Sequence, residues 1–313
     1  MERLNDAESA FSRVLSINPK DVSSLTSLAN VYKEKGEYIT AINTYKQALA
    51  IEPNYINAIH NLGLTYKLSE QLDLALTCFR QAKTLAPDVA EIDYNEANTL
   101  FEQGNYSEAE ELYWQSLNKD PHNIEVHQTL NELYWQTNRK SEFGRSFKLA
   151  IEHIPTSIPL RHAFAESLQA SGNVEEAQHI IEQALKIDET PALLHISGKV
   201  TASNGDIKGG IKAIEKSLQQ SYSLDVALDL IELLIIEYQY EKALNFIKQA
   251  ELVEPFNQLI IALKSLCWRL TSDERYKWLI DYQQYVQAFE IPVPNGYSSR
   301  SEFLAELEYT LLA

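Results

Sequence analysis

Apolar and polar residues follow one another along most of the chain in groups with spacings of three and four positions. Leu28, Ala29 and Tyr32 form one such group, and the same apolar, small and aromatic order returns in residues 62–66. Residues three and four apart lie on one face of an α-helix. The pattern therefore predicts a succession of amphipathic helices and an all-α fold.

The helical pattern repeats with a fixed period of 34 residues. Prolines mark the period at Pro19, Pro53, Pro87, Pro121 and Pro155. A column of small residues runs through Ala41, Ala75, Ala109 and Ala177, with Phe143 as the exception. Large apolar residues follow at Tyr45, Phe79, Tyr113, Phe147 and Ile181, and a second small column lies at Ala48, Ala82, Ser116, Ala150 and Ala184. Small residues let two helices approach closely around a large side chain, and the proline ends the second helix.

This pattern resembles the tetratricopeptide repeat (TPR) family, whose 34-residue repeat is a helix-turn-helix with the same trio, small columns and closing proline. The resemblance implies an α-solenoid, a right-handed TPR superhelix whose first helices line a concave groove. We expect full repeats to begin near Val22, Ile56, Ala90, Ile124, Ile158, Pro191 and Leu224, with a final helix pair from about Gln258.

The turn between the two helices of a repeat has its own sequence signal. Residues that tolerate a left-handed backbone occupy one slot of this turn, at Gly36, Gly104, Asn138, Gly172 and Gly205. Glycine and asparagine adopt that conformation most easily. Glu70 and Tyr238 stand in the same slot, so we expect these two turns to differ from the others.

The predicted organisation has four parts. Residues 1–21 supply only the second helix of a repeat, so we expect the sequence to begin inside a unit. Residues 22–257 hold seven TPR repeats, and residues 258–288 form a divergent final helix pair without the alanine column. Residues 289–313 form a Pro-x-Pro hinge followed by a capping or docking helix.

Charge and composition narrow the choice of partners. The formal net charge of −17 opposes binding to a phosphate backbone, so we expect no nucleic-acid partner and favour a neutral or basic polypeptide. The N-terminus lacks the pattern of a signal peptide, and the most apolar run is interrupted by Glu232. We therefore expect a cytoplasmic protein with no membrane partner. Cys78 and Cys267 have no metal-type spacing, which predicts two reduced, buried thiols. The oligomeric state stays open.

Known catalytic motifs are missing from the sequence. The seven histidines include no H-x-D, no H-x-E and no HExxH, and the chain has no phosphate-binding or nucleophile motif. A solenoid also spreads its side chains along a line, whereas catalysis needs them at one point. We expect a chain that is not an enzyme and that holds neither a cofactor nor a metal.

The TPR resemblance implies a peptide-binding groove built from residues near the start and middle of each first helix. Carried over to this sequence, the groove comprises Asn30, Lys33, Asn57, His60, Asn61, Glu91, Tyr94, Asn95, Asn98, Phe101, Glu125, Gln128, Glu132, Trp135, His162 and Glu166. The acids could equally form a solvated helix face, and the aromatic residues could equally pack between neighbouring helices.

Asparagines are the sharpest feature of this groove. An asparagine amide can pair with an extended peptide backbone whatever its sequence. Asn61 and Asn95 match the asparagine ladder of the TPR superhelix in O-GlcNAc transferases. A carboxylate clamp of the chaperone-binding type is disfavoured, because Thr26, Glu91 and Asn95 stand where it needs basic residues. The sequence therefore favours a groove that holds a peptide backbone.

The C-terminal stretch departs from the repeat pattern. Pro292 and Pro294 force an extended segment, and Ser299 with Glu302 forms a capping box before a helix. The stretch from Trp268 resembles the junction of bacterial TPR proteins with a 2-oxoglutarate/Fe(II) oxygenase barrel. That resemblance implies a chain that continues past residue 313 and a groove that presents substrate to the barrel. A structural assembly scaffold is a further alternative.

Overall fold

A computed structural model describes residues 2–279 together with Ser299 and Phe303. The described residues form seventeen α-helices and one short 3-10 helix, with no strand among them. Contacts divide the chain into two compact units, Met1–Asn204 and Gly205–Ala313. Each unit is described below by itself.

The first unit contains twelve α-helices, joined by short turns. They are α1 (Glu2–Ile17), α2 (Val22–Glu34), α3 (Tyr38–Ile51), α4 (Ile56–Leu68), α5 (Leu72–Leu85), α6 (Ala90–Glu102), α7 (Tyr106–Lys119), α8 (Ile124–Gln136), α9 (Arg145–His153), α10 (Ile158–Ala170), α11 (Val174–Leu185) and α12 (Pro191–Ser203), with the 3-10 helix at Lys140–Glu142. Among the described residues of the second unit, the helices are α13 (Ile207–Gln220), α14 (Leu224–Ile236), α15 (Tyr240–Val253), α16 (Gln258–Leu270) and α17 (Arg275–Leu279).

First helices begin where the sequence pattern started its repeats, because a capping side chain often precedes them. In the first unit, Asp21, Asn123, Ser157 and Thr190 each accept a hydrogen bond from a backbone N–H three residues later. Such caps satisfy the free N–H groups of a helix start. The predicted all-α fold of helix-turn-helix repeats is confirmed.

In the first unit, α2, α4, α6, α8 and α10 each pack on the second helix of their own repeat, and several first helices also pack on the first helix of a neighbouring repeat. The second kind of contact joins α2 to α4, α4 to α6, α8 to α10 and α10 to α12. The predicted small columns lie at the closest approach, and Ala41, Ala48 and Tyr45 have no exposed surface. Larger side chains at those alanines would push the helices apart.

The turns at Glu70 and Tyr238 do not differ from the others, so that expectation was wrong. Their φ angles are 61° and 60°, against 79° at Gly36 and 57° at Asn138. All are left-handed. The packing of both helices in a repeat fixes the turn, and a residue with a side chain is held there despite a local cost of about 1–2 kcal/mol.

Phe143, the exception in the alanine column, coincides with a break in the second helix of its repeat. The other second helices of full repeats in the first unit have 12 to 14 residues, but α9 has nine and starts only at Arg145. Gly144 precedes it with a φ of 75°. Phenylalanine is too large for a position that elsewhere holds a fully buried alanine, so the helix begins after it.

Both cysteines, Cys78 and Cys267, are free and buried. Burial raises the pKa of each thiol to about 11. A thiol with such a pKa is a poor nucleophile at neutral pH. The structure confirms the prediction of two buried, reduced thiols.

The predicted Pro-x-Pro hinge and the helix after it lie outside the described residues, except for Ser299 and Phe303. Residues 280–288 of the divergent helix pair lie outside them as well. The four-part division of the chain stays a prediction.

Candidate functional site

The sixteen predicted groove residues lie on α2, α4, α6, α8 and α10 of the first unit, and we call the side of these helices that carries them the first-helix face. Seven are exposed: Asn57, Glu91, Glu125, Gln128, Glu132, Trp135 and Glu166. Seven are half-buried: Asn30, Lys33, His60, Asn61, Asn98, Phe101 and His162. Tyr94 and Asn95 are buried. These two therefore present little surface to a ligand.

Two asparagines of the predicted groove each form a hydrogen bond with a buried tyrosine of their own repeat. The hydroxyl of Tyr45 donates to Asn30 Oδ1, and the hydroxyl of Tyr113 donates to Asn98 Oδ1 at 2.7 Å. Burial raises the pKa of both tyrosines, so both hydroxyls keep their protons. The oxygens of Asn30 and Asn98 are thus used within the fold.

The proposed asparagine ladder has a different geometry from a row of free amides. Asn95 is 8% exposed, and its amide nitrogen lies 2.9 Å from His60 Nε2. An amide nitrogen only donates, so His60 Nε2 accepts. Burial lowers the pKa of His60 and keeps that ring neutral. Asn61 donates to the carbonyl oxygen of Asn57 at 2.8 Å.

Exposed acids and an exposed tryptophan follow on α8 and α10. Glu132 accepts from Gln136 at 2.9 Å, and Glu166 lies 3.4 Å from Nδ1 of His162. Trp135 is 49% exposed, and the Lys140 ammonium lies 4.4 Å from the centroid of its ring. The acids keep most of their surface in solvent and are available to a cationic partner.

Two neighbouring cavities open on this part of the first-helix face. The first, of about 310 Å³, is lined by Ile124, Gln128, Ile158, Pro159, His162, Ala163, Glu166, Thr190 and Ala192. The second, of about 250 Å³, is lined by Gln128, Asn131, Glu132, Trp135, Phe143, Ser167, Ala170 and Ser171. Gln128 lines both. Five predicted groove residues therefore come together around two adjacent cavities.

Asn131 is a candidate functional residue that the sequence analysis did not place in the groove. Its side chain is 3% exposed, and its Oδ1 accepts from the backbone N–H of Gly144 at 2.8 Å. Its Nδ2 has no hydrogen-bond partner among the described residues. The sequence did contain a signal: Asn131 occupies the repeat position that holds the small apolar residue Ala29 in the first full repeat. Asn131 brings a buried, unused donor to the second cavity.

Models of tetratricopeptide repeats match four segments of the chain. A model described as TPR repeat matches residues 29–69, and three described as Tetratricopeptide repeat match residues 10–43, 61–124 and 158–191. These segments are similar to tetratricopeptide repeats. They support a protein–protein interaction module, and no catalytic family is among the matches.

Solved structures agree on the fold. Yeast Tom70 matches with a TM-score of 0.59 at 16% identity, over 91% of this chain and 63% of the Tom70 chain. A tetratricopeptide repeat protein from Parabacteroides merdae matches with a TM-score of 0.49 at 22% identity, over 79% of this chain and 98% of the other. MamA matches with a TM-score of 0.44 at 23% identity, over 48% of this chain and 87% of the MamA chain. At 16% identity, the likeness to Tom70 shows the fold alone. A search of curated proteins finds no significant match.

The described part of the chain shows neither a membrane span nor a metal site. None of its helices has both the length and the apolar character needed to cross a membrane. Within the same residues, no group of three or more histidine, cysteine or acidic side chains is arranged to hold a metal ion.

Proposed function

We propose that this chain binds an extended, neutral to basic polypeptide along the first-helix face, with the two cavities on α8 and α10 as the centre of the site. The observation that carries the proposal is their side-by-side position, joined by Gln128. Adjacent cavities that open on one face suit successive side chains of an extended peptide.

Asn131 supports a polypeptide as the ligand. A buried donor without a partner is costly, and native proteins seldom leave one unused. Asn131 lines the second cavity, and its buried Nδ2 group has no acceptor among the described residues. A peptide carbonyl, or the oxygen of a side-chain amide, supplies one.

Trp135 supports the same position for the ligand. Its ring is half exposed and lines the second cavity with Phe143. Exposed tryptophans at the edge of a pocket often dominate binding energy, because one rigid ring contributes a large contact area. We therefore assign Trp135 the largest single contribution to affinity.

Charge supports a basic ligand. Glu132 and Glu166 line the two cavities, and Glu125 is exposed about two turns before Glu132 on α8. The net charge of −17 adds a long-range field of the same sign. A lysine or arginine of the peptide would be attracted both by these glutamates and by the field of the net charge.

The test is a screen of the whole chain against a random peptide library, followed by affinity measurements at two salt concentrations. We expect enrichment of lysine and arginine and a weaker affinity at higher salt. Trp135→Ala should weaken the selected peptides at least tenfold, and Glu132→Gln by a smaller factor.

Matched controls use exposed residues outside the site. Ile39→Ala removes a 79% exposed apolar side chain from α3, and Glu108→Gln removes an exposed acid from α7. Both should leave the affinity unchanged. Enrichment of acidic peptides, or an unchanged affinity in Trp135→Ala, would contradict the proposed site.

A second candidate function is presentation of substrate to a 2-oxoglutarate/Fe(II) oxygenase domain. The resemblance of the stretch from Trp268 to an oxygenase junction favours it, although much of that stretch lies outside the described residues. An open reading frame that continues past codon 313 into an H-x-D and a later histidine would support this function. A stop codon at that point would reject it and leave the peptide-binding proposal standing.

A further inference from the structure

A third cavity lies between α7 and α9, the second helices of two neighbouring repeats. It has a volume of about 330 Å³, and we call it the outer cavity. Trp114 and Leu117 of α7 form one wall, and Leu149 of α9 forms the other. His127 and Ser146 also line it. The peptide-binding proposal uses none of these residues.

The equivalent region one repeat earlier is filled by an ion-pair cluster. There Asp93, whose side chain has no exposed surface, pairs with Lys83 Nζ at 2.7 Å and with the ammonium of Lys119. Lys119 also donates to the carbonyl oxygen of Pro87 at 2.5 Å. Two long side chains and one buried acid thus occupy that space.

A shift of 34 residues replaces every charged member of this cluster. Asp93 becomes His127, Lys83 becomes Leu117, and Lys119 becomes His153. The replacements carry no ammonium group to fill the centre, and the lining becomes mostly apolar, with Asn118 and His153 among its polar members. The outer cavity is therefore a local feature of this repeat and not a general consequence of the fold.

His127 lines the outer cavity and has a buried hydrogen-bond acceptor without a partner among the described residues. Its ring is 1% exposed and stacks on Phe147 with 4.7 Å between the ring centroids. Nε2 lies 3.1 Å from the carbonyl oxygen of Pro121, which can only accept, so Nε2 carries the proton. Burial lowers the pKa of His127 and keeps the ring neutral. Nδ1 is then a lone-pair acceptor, without a partner among the described residues.

Ser146 adds a second unused group. Ser146 lines the same cavity, and its buried hydroxyl has no partner in the described part of the chain. A hydroxyl can both donate and accept. A ligand hydroxyl can donate to His127 Nδ1 and accept from Ser146, whereas a charged group would lose its solvation between the apolar walls.

We propose that the outer cavity binds a small neutral ring carrying one hydroxyl group, a phenol, with the hydroxyl on His127 Nδ1 and Ser146 Oγ and the ring between Leu117 and Leu149. The volume is sufficient, since an apolar protein cavity of about 150 Å³ accepts benzene. A phenol combines an apolar body with a single hydroxyl, which matches walls of this composition.

The test compares phenol with toluene, which has a similar shape but no hydroxyl. Saturation-transfer NMR and calorimetric titration of the whole chain should detect phenol, at least fivefold tighter than toluene. Leu149→Trp should abolish the binding of both probes by filling the cavity, and Leu149 is 38% exposed, so the substitution is introduced from the surface. Leu252→Trp, at an 86% exposed position in the second unit, is the matched control and should change nothing.

His127→Phe separates the hydrogen bond from the cavity. It keeps a ring of similar size, so toluene should still bind, and the preference for phenol should fall below twofold. Equal affinities of phenol and toluene in the unchanged protein would overturn the proposal. So would phenol binding that survives Leu149→Trp. A cavity that holds only water would give no saturation transfer to either probe, and this result would overturn the proposal as well.

Discussion

The asparagine–tyrosine pair of the third full repeat allows a test of whether residue pairs at equivalent positions of neighbouring repeats are interchangeable. Tyr113 has no exposed surface, and its hydroxyl donates to Asn98 at 2.7 Å. In the preceding repeat the same two positions hold Leu64, which is half-buried, and Phe79, which is fully buried. The polar pair and the apolar pair thus occupy equivalent places in one protein.

Single substitutions should cost stability and the double substitution should restore it. Tyr113→Phe removes one hydrogen bond from a half-buried acceptor, which costs about 0.5–1.5 kcal/mol. Asn98→Leu leaves a buried hydroxyl without its acceptor and costs about 1–3 kcal/mol. Both together reproduce the pair of the preceding repeat, so we expect a coupling free energy close to the sum of the two single costs, about 1.5–4.5 kcal/mol.

Amide hydrogen exchange is the suitable assay, because repeat proteins open locally and exchange reports the free energy of opening for each helix. Protection of α6 and α7 should fall in each single variant and return in the double variant. The reciprocal control installs the polar pair in the preceding repeat, with Leu64→Asn and Phe79→Tyr. If the double variant is as unstable as the sum of the single variants, the reasoning from repeat equivalence fails.

Two further predictions concern backbone strain and protonation. Gly144→Ala should lower the free energy of unfolding, measured by urea titration, by about 2–4 kcal/mol, because φ is 75° and a Cβ would lie 2.6 Å from the Phe164 ring. Gly172→Ala is the control. Its φ is 80° and no neighbour lies within 4 Å, so the same titration should show a loss of only about 1 kcal/mol. The pKa of His127 is lowered in the folded state, so the unfolded chain binds the proton first as pH falls below about 6.5. The free energy of unfolding should then decrease with falling pH, by up to about 1.4 kcal/mol per pH unit, until the folded pKa is reached. His127→Phe should reduce this dependence but not remove it, because the pKa of His60 is lowered as well; an equally steep dependence would contradict the assignment.

The sequence by itself determined the helices, their pairing and the core columns. Residues 41, 45 and 48 lie within two turns of one helix, and their small, large and small order recurs every 34 residues. Such local periodicity is sufficient because a repeat packs mainly against its neighbours in sequence. The sixteen groove residues could be assigned to first helices for the same reason.

Only the tertiary structure decided how the groove residues are used. Asn30 and Asn98 bond to tyrosines on the second helix, and Asn95 bonds to His60 of the repeat before it. These partners lie 15 and 35 residues away. No spacing rule within one helix reveals them, because they depend on the distance between packed helices.

The cavities also depended on tertiary packing. Phe143 could be recognised in the sequence as an exception, but the delayed start of α9 followed from its size beside closely packed helices. Glu70 shows the opposite case, since packing imposed the ordinary turn on an unfavourable residue. The unused atoms of Asn131 and His127 likewise result from what surrounds them in space. Local pattern therefore fixed the elements, and the fit between elements fixed the sites, because a side chain's hydrogen-bond partners are chosen by proximity in the folded state.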